Sequence, residues 1–195
     1  MSEVEPRISF AGETIKEDVL PVSKYLTPGI HLVKLTKAEE GLSPAKGTPY
    51  IRLYVEDKTG ASQTFEMYLS TTLGKKGLSA YNMTITKIFE LGVAILGGEE
   101  KTRTTLDSAN TTELTSKINT NLTNKFFKLK LSGEEVLGAK GVFVKTKLGF
   151  GRVAENAGVP DAETKLRYNP DFDIKRLPVG ETSEPSEVIS GNTYL

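Results

Sequence analysis

Hydrophobic and polar positions change their period several times along the chain, and each change marks an element. In "GIHLVKLTKAE" (29–39), Ile30 and Leu32 share one phase while Val33 and Leu35 share the other. A phase switch inside a strand predicts a bulge or a strong bend. After the Gly- and Pro-containing loop "EGLSPAKGTP" (40–49), "YIRLYVED" (50–57) alternates strictly, with Ile51, Leu53 and Val55 on one side and Tyr50, Arg52 and Tyr54 on the other. "KTGA" signals a hairpin turn, and "SQTFEMYLS" then places Phe65, Met67 and Leu69 inward with Thr64, Glu66 and Tyr68 outward. Three consecutive antiparallel strands are expected.

In "GLSAYNMTITKIFELGVAILGG" (77–98) the period becomes helical: Leu78, Tyr81, Ile85, Ile88, Phe89 and Ile95 lie near one face, and Gly97-Gly98 end the helix. Residues 99–124 are rich in Thr, Asn and Ser, which predicts an inserted loop with one short helix near Glu113 to Ile118, capped by Thr111 or Thr112. "FFKLKLSG" and "GVFVKTKLG" form two further strands around the loop "SGEEVLGAKG". Phe127, Leu129 and Leu131 point inward in the first, and Val142, Val144 and Leu148 in the second. "VAENAG" reads as a short helix ending at Gly158, and "NPDFD" as turn chemistry.

Three strands, a helix, an insertion and two strands define a mainly β fold. The expected architecture is an OB-fold-like, five-stranded Greek-key barrel with a helix between strands 3 and 4. Other five-stranded α+β layouts share this order. The domain runs from 25 to 177, between an acidic N-terminal arm (1–24) and a flexible acidic C-terminal tail (178–195).

Charge sharpens this division. The 25 basic and 25 acidic residues cancel overall, which argues against a wholly basic nucleic-acid binder. Residues 1–20 hold two basic and five acidic side chains and 177–195 hold three acidic ones, whereas 21–152 carry a surplus of seven positive charges. The absence of cysteine excludes disulfides, thiol nucleophiles and thiolate metal sites, and fits a reducing cytoplasm. No signal-peptide pattern opens the chain and no run of 18 apolar residues occurs, so a cytoplasmic protein without membrane spans is expected.

One pattern points to chemistry. Tyr50, Arg52 and Tyr54, then Phe126, Lys128 and Lys130, then Phe143, Lys145 and Lys147 each set an aromatic ring and cations opposite an aliphatic face, and Tyr68 adds a further ring. Single-strand nucleic-acid binders need this pairing, because rings stack on bases of any sequence while cations track phosphates. Any one such strand is more often an aromatic covered by other structure with lysines guarding an edge. Three in agreement favour binding. "GFGRVA" (149–154) imitates a dinucleotide fingerprint but lacks the parallel βαβ unit that gives it meaning. Asn169, Asp171 and Asp173 have metal-like spacing without the closing bidentate Glu, and His31 stands alone. No catalytic, metal or cofactor site is expected.

The stretches "PGIHLVKLTKAEEG", "KGTPYIRLYVEDKTG", "SAYNMTITKIFELG" and "NKFFKLKL" together resemble the single-stranded-DNA-binding proteins of tailed bacteriophages, OB-fold proteins of replication and recombination modules. The likeness covers roughly residues 25 to 177. It implies sequence-independent binding to single-stranded DNA without catalysis. The tail, with Glu181, Glu184, Glu187 and the tip Tyr194-Leu195, is similar to the acidic tails of bacterial single-strand binders, which implies docking of replication or recombination partners. Two alternatives stay open: a structural or adaptor β-barrel whose aromatic face meets another protein, and an RNA binder on the same fold.

Overall fold

The computed structural model describes residues 24–73, 79–139, 141–149 and 151–178. Seven strands form one open sheet, whose main path runs β3-β2-β1-β4-β5. Its strands are β1 (Gly29–Leu42), β2 (Pro49–Asp57), β3 (Ser62–Tyr68), β4 (Phe126–Gly138) and β5 (Gly141–Leu148), all antiparallel to their neighbours. The first four follow the Greek-key order, in which a fourth strand returns by a long connection to lie beside the first. The sheet has seven strands where a five-stranded barrel was expected, and it does not close. β3 and β5 end the path, and two short strands, β6 (Ala154–Asn156) and β7 (Ile174–Lys175), pair with β4 instead.

The alternation in β2, β3 and the first half of β4 is obeyed. Ile51, Leu53, Val55, Phe65, Met67, Phe127, Leu129 and Leu131 are all buried on one face. β1 carries its bulge at Thr36, between the register pairs Leu35↔Val55 and Lys37↔Tyr54, so that Leu35 and Ala38 both point inward. A bulge leaves backbone groups without ladder partners. Two residues past the bulge, beyond the end of the β1–β4 ladder at Lys34, Asn119 pairs with the β1 backbone: its amide accepts from Ala38 N–H (2.7 Å) and donates to the Ala38 carbonyl (2.8 Å).

Asn119 belongs to one of three helices that cover the core. α1 (Ala80–Leu96) is capped by Ser79, and left-handed Gly97 stops it where Gly97-Gly98 were expected to. Its buried stripe is Thr84, Ile88, Leu91, Gly92 and Ala94, while Tyr81, expected on that face, is exposed; Leu78 lies outside the described residues. The region expected as a loop with one short helix holds two: α3 (Thr111–Asn121) contains the expected stretch Glu113 to Ile118 and extends it, and α2 (Glu99–Leu106) was not expected. The cap of α3 is Asn110, whose side chain accepts from Glu113 N–H (2.9 Å), rather than either threonine. Leu114, Ile118 and Leu122 supply the apolar stripe that turns a polar sequence into a helix against the sheet.

Two further readings are corrected. The loop "SGEEVLGAKG" is mostly strand, since β4 continues to Gly138 and only Ala139 and Lys140 separate it from β5. "VAENAG" is not helical: Ala154–Asn156 is β6, paired with Phe127–Leu129. "NPDFD" forms a single helical turn, α4 (Pro170–Asp173), capped by Asn169. The arm and tail fall outside the described residues, apart from Lys24 at one end and Pro178 at the other.

The close approach of α1 to α2 sets a test. A Cβ built on Gly92 meets Thr102 Cγ2 at 2.4 Å and Leu106 Cδ1 at 3.0 Å. Helix propensity favours Ala over Gly by about 1 kcal/mol, but overpacking costs about 1–3 kcal/mol, and the buried Thr102 side chain leaves little slack. Gly92→Ala is therefore expected to lower stability by about 1 kcal/mol in urea unfolding; a gain would show that α2 yields.

Candidate nucleic-acid interface

The outer face of β2 and β3 gathers four of the expected residues. Register pairs Tyr50↔Tyr68, Arg52↔Glu66 and Tyr54↔Thr64 place Tyr50, Arg52, Tyr54 and Tyr68 on one surface. The Tyr50 and Tyr68 rings meet edge to face with centroids 5.8 Å apart, and the Arg52 guanidinium lies 5.2 Å from the Tyr50 centroid. The Tyr50 ring lies against the backbone of Gly41, where any Cβ would clash with it at 2.6 Å. Gly41 thus lets the ring lie flat on the sheet.

Acidic residues hold this face in order. Glu66 accepts from Arg52 Nη2 at 2.6 Å and from Tyr68 Oη at 3.0 Å, and Arg52 first, then Tyr68, holds its carboxyl below the usual range. Tyr54 Oη donates to Glu39 at 2.6 Å, and Glu39 also pairs with Lys37. Lys34 lies 3.5 Å from Glu56. The cations here are largely paired already, so any anionic ligand would have to compete with carboxylates. Glu66 was legible beforehand as the residue cross-strand from Arg52, but the alternation drew attention only to rings and cations.

Phe126 shares the face at its other end. It pairs with Lys34, which pairs with Glu56 six residues from Tyr50, a separation of about 20 Å along an extended strand. Lys58, from the β2–β3 turn, reaches over the Phe126 ring at 5.5 Å.

Lys128 and Lys130 are not on an open face, contrary to the sequence expectation. The segment after β5 folds back over them. Lys128 donates to the Val159 carbonyl (2.7 Å) and pairs with Asp161 (2.5 Å), while Lys130 pairs with Asp173 (3.2 Å) with both side chains about nine-tenths buried. They clamp the C-terminal segment to β4. Glu155 reinforces the clamp: burial pushes its carboxyl up, but hydrogen bonds from Thr164 and the Lys165 N–H outweigh this and lower it.

Phe143, Lys145 and Lys147 lie on a projecting hairpin. The β1–β4 ladder stops at Gly29↔Leu131, so beyond Leu131, among the described residues, only β5 and two-residue β7 flank β4. Val142 and Val144, expected inward, are exposed along with Leu137 and Phe143, on a part of the hairpin that the β1–β4 ladder does not reach; Leu148 alone of the inward set is buried. Lys147 pairs with Glu134, which Lys175 also contacts at 2.8 Å, and Lys147 first, then Lys175, draws the Glu134 carboxyl down to about 2. Lys145 is exposed and contributes favourably to the charge of Glu66 on β3, so hairpin and ring face adjoin.

Among the described residues no group of three or more His, Cys, Asp or Glu could hold a metal ion, and no helix is long and apolar enough to cross a membrane. No protein-family model and no curated protein matches this sequence.

Two tests separate clamp from face. Asp173→Ala leaves the Lys130 ammonium buried and unpaired, and is expected to destabilise by about 3–5 kcal/mol in chemical unfolding. A loss under about 1 kcal/mol would show that water reaches Lys130. The Glu134 pairs titrate lower in the folded chain than the ordinary 4.5, so their stabilisation is present above that pH and fades as pH falls towards about 2. Amide exchange at Ile174 and Lys175 is expected to quicken in that window before exchange in β2 does.

Proposed function

We propose that the protein is a non-enzymatic, sequence-independent binder of single-stranded DNA, acting in phage DNA replication or recombination, on a partly open OB-type barrel. The observation that carries this reading is the row of rings Tyr50, Tyr54 and Tyr68 on the outer face of β2 and β3, flanked by a β4–β5 hairpin bearing Phe143, Lys145 and Lys147. In OB folds, the face of strands 2 and 3 and the loops joining strands 1–2 and 4–5 bind oligonucleotides. The Greek-key order, the bulged first strand and the helix following β3 agree with that architecture.

The roles divide by environment. Tyr50, Tyr54, Tyr68, Phe126 and Phe143 offer π-faces, and Arg52, Lys145 and Lys147 meet phosphates. Lys128 and Lys130 hold the C-terminal segment in place and leave the set of phosphate ligands. The choice of DNA over RNA rests on the resemblance of 25–177 to phage single-strand binders, because stacking does not sense the 2′-hydroxyl.

The test is fluorescence anisotropy of a labelled oligo(dT) titrated at low and moderate salt, with duplex DNA and oligo(rU) as controls. Preference for the single strand and a steep fall with salt are expected. Tyr54→Ala or Tyr68→Ala is expected to cost about 1–3 kcal/mol per lost stack with the fold intact. Glu66→Gln is expected to tighten binding, since it frees Arg52 and removes a negative charge beside the phosphate path. No binding at low salt would overturn the proposal and assign the rings and the apolar hairpin to a protein interface.

A further inference from the structure

Beyond the ring face, β3 and β5 face each other across a groove of about 750 Å³, floored by the first half of α1. Neither strand has a ladder to the other, although they are the two ends of the sheet path. Ala80, Met83, Thr84 and Lys87 rise from α1 into this groove, and Lys145 and Lys147 line it from β5. Thr84 Oγ1 donates to the Tyr68 carbonyl at 2.7 Å, fixing the helix against the end of β3.

Lys87 is the unexplained group. It is half-buried, and among the described residues no carboxylate lies within ion-pair distance of its ammonium group; Glu90 acts on it only from further away. Burial pushes its pKa down, as expected for a cation losing water without gaining a close partner. The facing charges are Lys145, Lys147 and Glu66, and Glu66 is already held by Arg52 and Tyr68. Lys147 is likewise held, by Glu134, so Lys87 and Lys145 line the groove as its ammonium groups without an ion pair among the described residues.

We propose that this groove takes the phosphodiester backbone of the strand that stacks on the ring face, with Lys87 as its innermost phosphate contact. The proposal rests on the single-strand reading and extends it. Tyr68 belongs both to the ring pair with Tyr50 and to the groove lining, so a strand stacked there passes over the edge of β3 directly into the groove. A phosphate at Lys87 supplies the missing counter-charge in a partly desolvated place, where a charge-assisted hydrogen bond is strong. An acidic peptide strand fits less well, because lysines along a β edge oppose strand addition.

The experiment uses the full chain and oligo(dT) of two lengths, roughly 4 nucleotides to cover the rings alone and roughly 16 to continue into the groove. Lys87→Gln is expected to weaken binding of the longer oligomer about 3–10-fold and to reduce its salt slope by about 0.7, while leaving the shorter one unchanged. Lysine acetylation read by mass spectrometry is expected to show Lys87 of the unaltered protein protected by the longer oligomer only. The substitution removes a desolvated charge, so its melting temperature is expected to stay level or rise; should it misfold, the protection measurement decides. Wild-type binding that leaves Lys87 fully reactive, or a Lys87→Gln protein that binds both lengths normally, overturns the route while the ring-face reading stands. If the unaltered protein binds neither length, the single-strand reading itself has failed. Protection of Lys87 by poly-glutamate but not by DNA overturns the proposal in favour of a peptide groove.

Discussion

The backbone of β4 is the constraint on which the other elements hang. Its first half is hydrogen-bonded to β1 on one side and β6 on the other, and its second half to β5 and β7. Four strands therefore take their register from one 13-residue segment. Its inward side chains Phe127, Leu129 and Leu131 are fully buried, so a slip of one residue would turn the centre of the core outward. The outward side chains of the same stretch, Lys128 and Lys130, fasten the chain that returns across the sheet. One strand thus sets both the core and its cover.

The ring face is built on the opposite economy. Its rings are partly exposed, and its order comes from short-range pairs within β1, β2 and β3: Arg52 with Glu66, Tyr54 with Glu39, and Tyr68 with Glu66. Exposed pairs of this kind contribute little to stability, but they hold rings and guanidinium in one arrangement. They also keep the face close to neutral. On the proposed single-strand reading, association would depend on how readily phosphate replaces carboxylate at Arg52, which would make Glu66 a governor of affinity as well as a support.

Much of this was legible in the sequence wherever the cause is local. Strict alternation from Tyr50 to Val55 and the helical period ending at Gly97-Gly98 come from neighbours in the chain, and the phase change in β1 announced a bulge that lies at Thr36. Lys128 and Lys130 were misread because their partners, Asp161 and Asp173, lie 33 and 43 residues downstream, and long-range pairing leaves no local trace. Val142 and Val144 were misplaced for a related reason: alternation marks two faces, but burial needs a second layer, and β1 ends before it reaches the hairpin. Helix α2 was hidden, and α3 only partly legible as a short helix near Glu113 to Ile118, because tertiary packing overrides the threonine-rich composition.

The long return from β3 to β4 also has a consequence during synthesis. The β1–β4 ladder joins residues that stand about 90 to 100 positions apart, from Lys34 with Phe126 to Gly29 with Leu131. At roughly 5–20 residues per second, the ribosome needs on the order of ten seconds to supply the partner of β1. Throughout that interval the nascent β1–β2–β3 meander has a bare strand edge beside Val33 and Leu35, which will become fully buried. Lys34 and Lys37 on that edge then serve the growing chain before they serve the folded one, as charges that discourage two nascent copies on one message from pairing edge to edge.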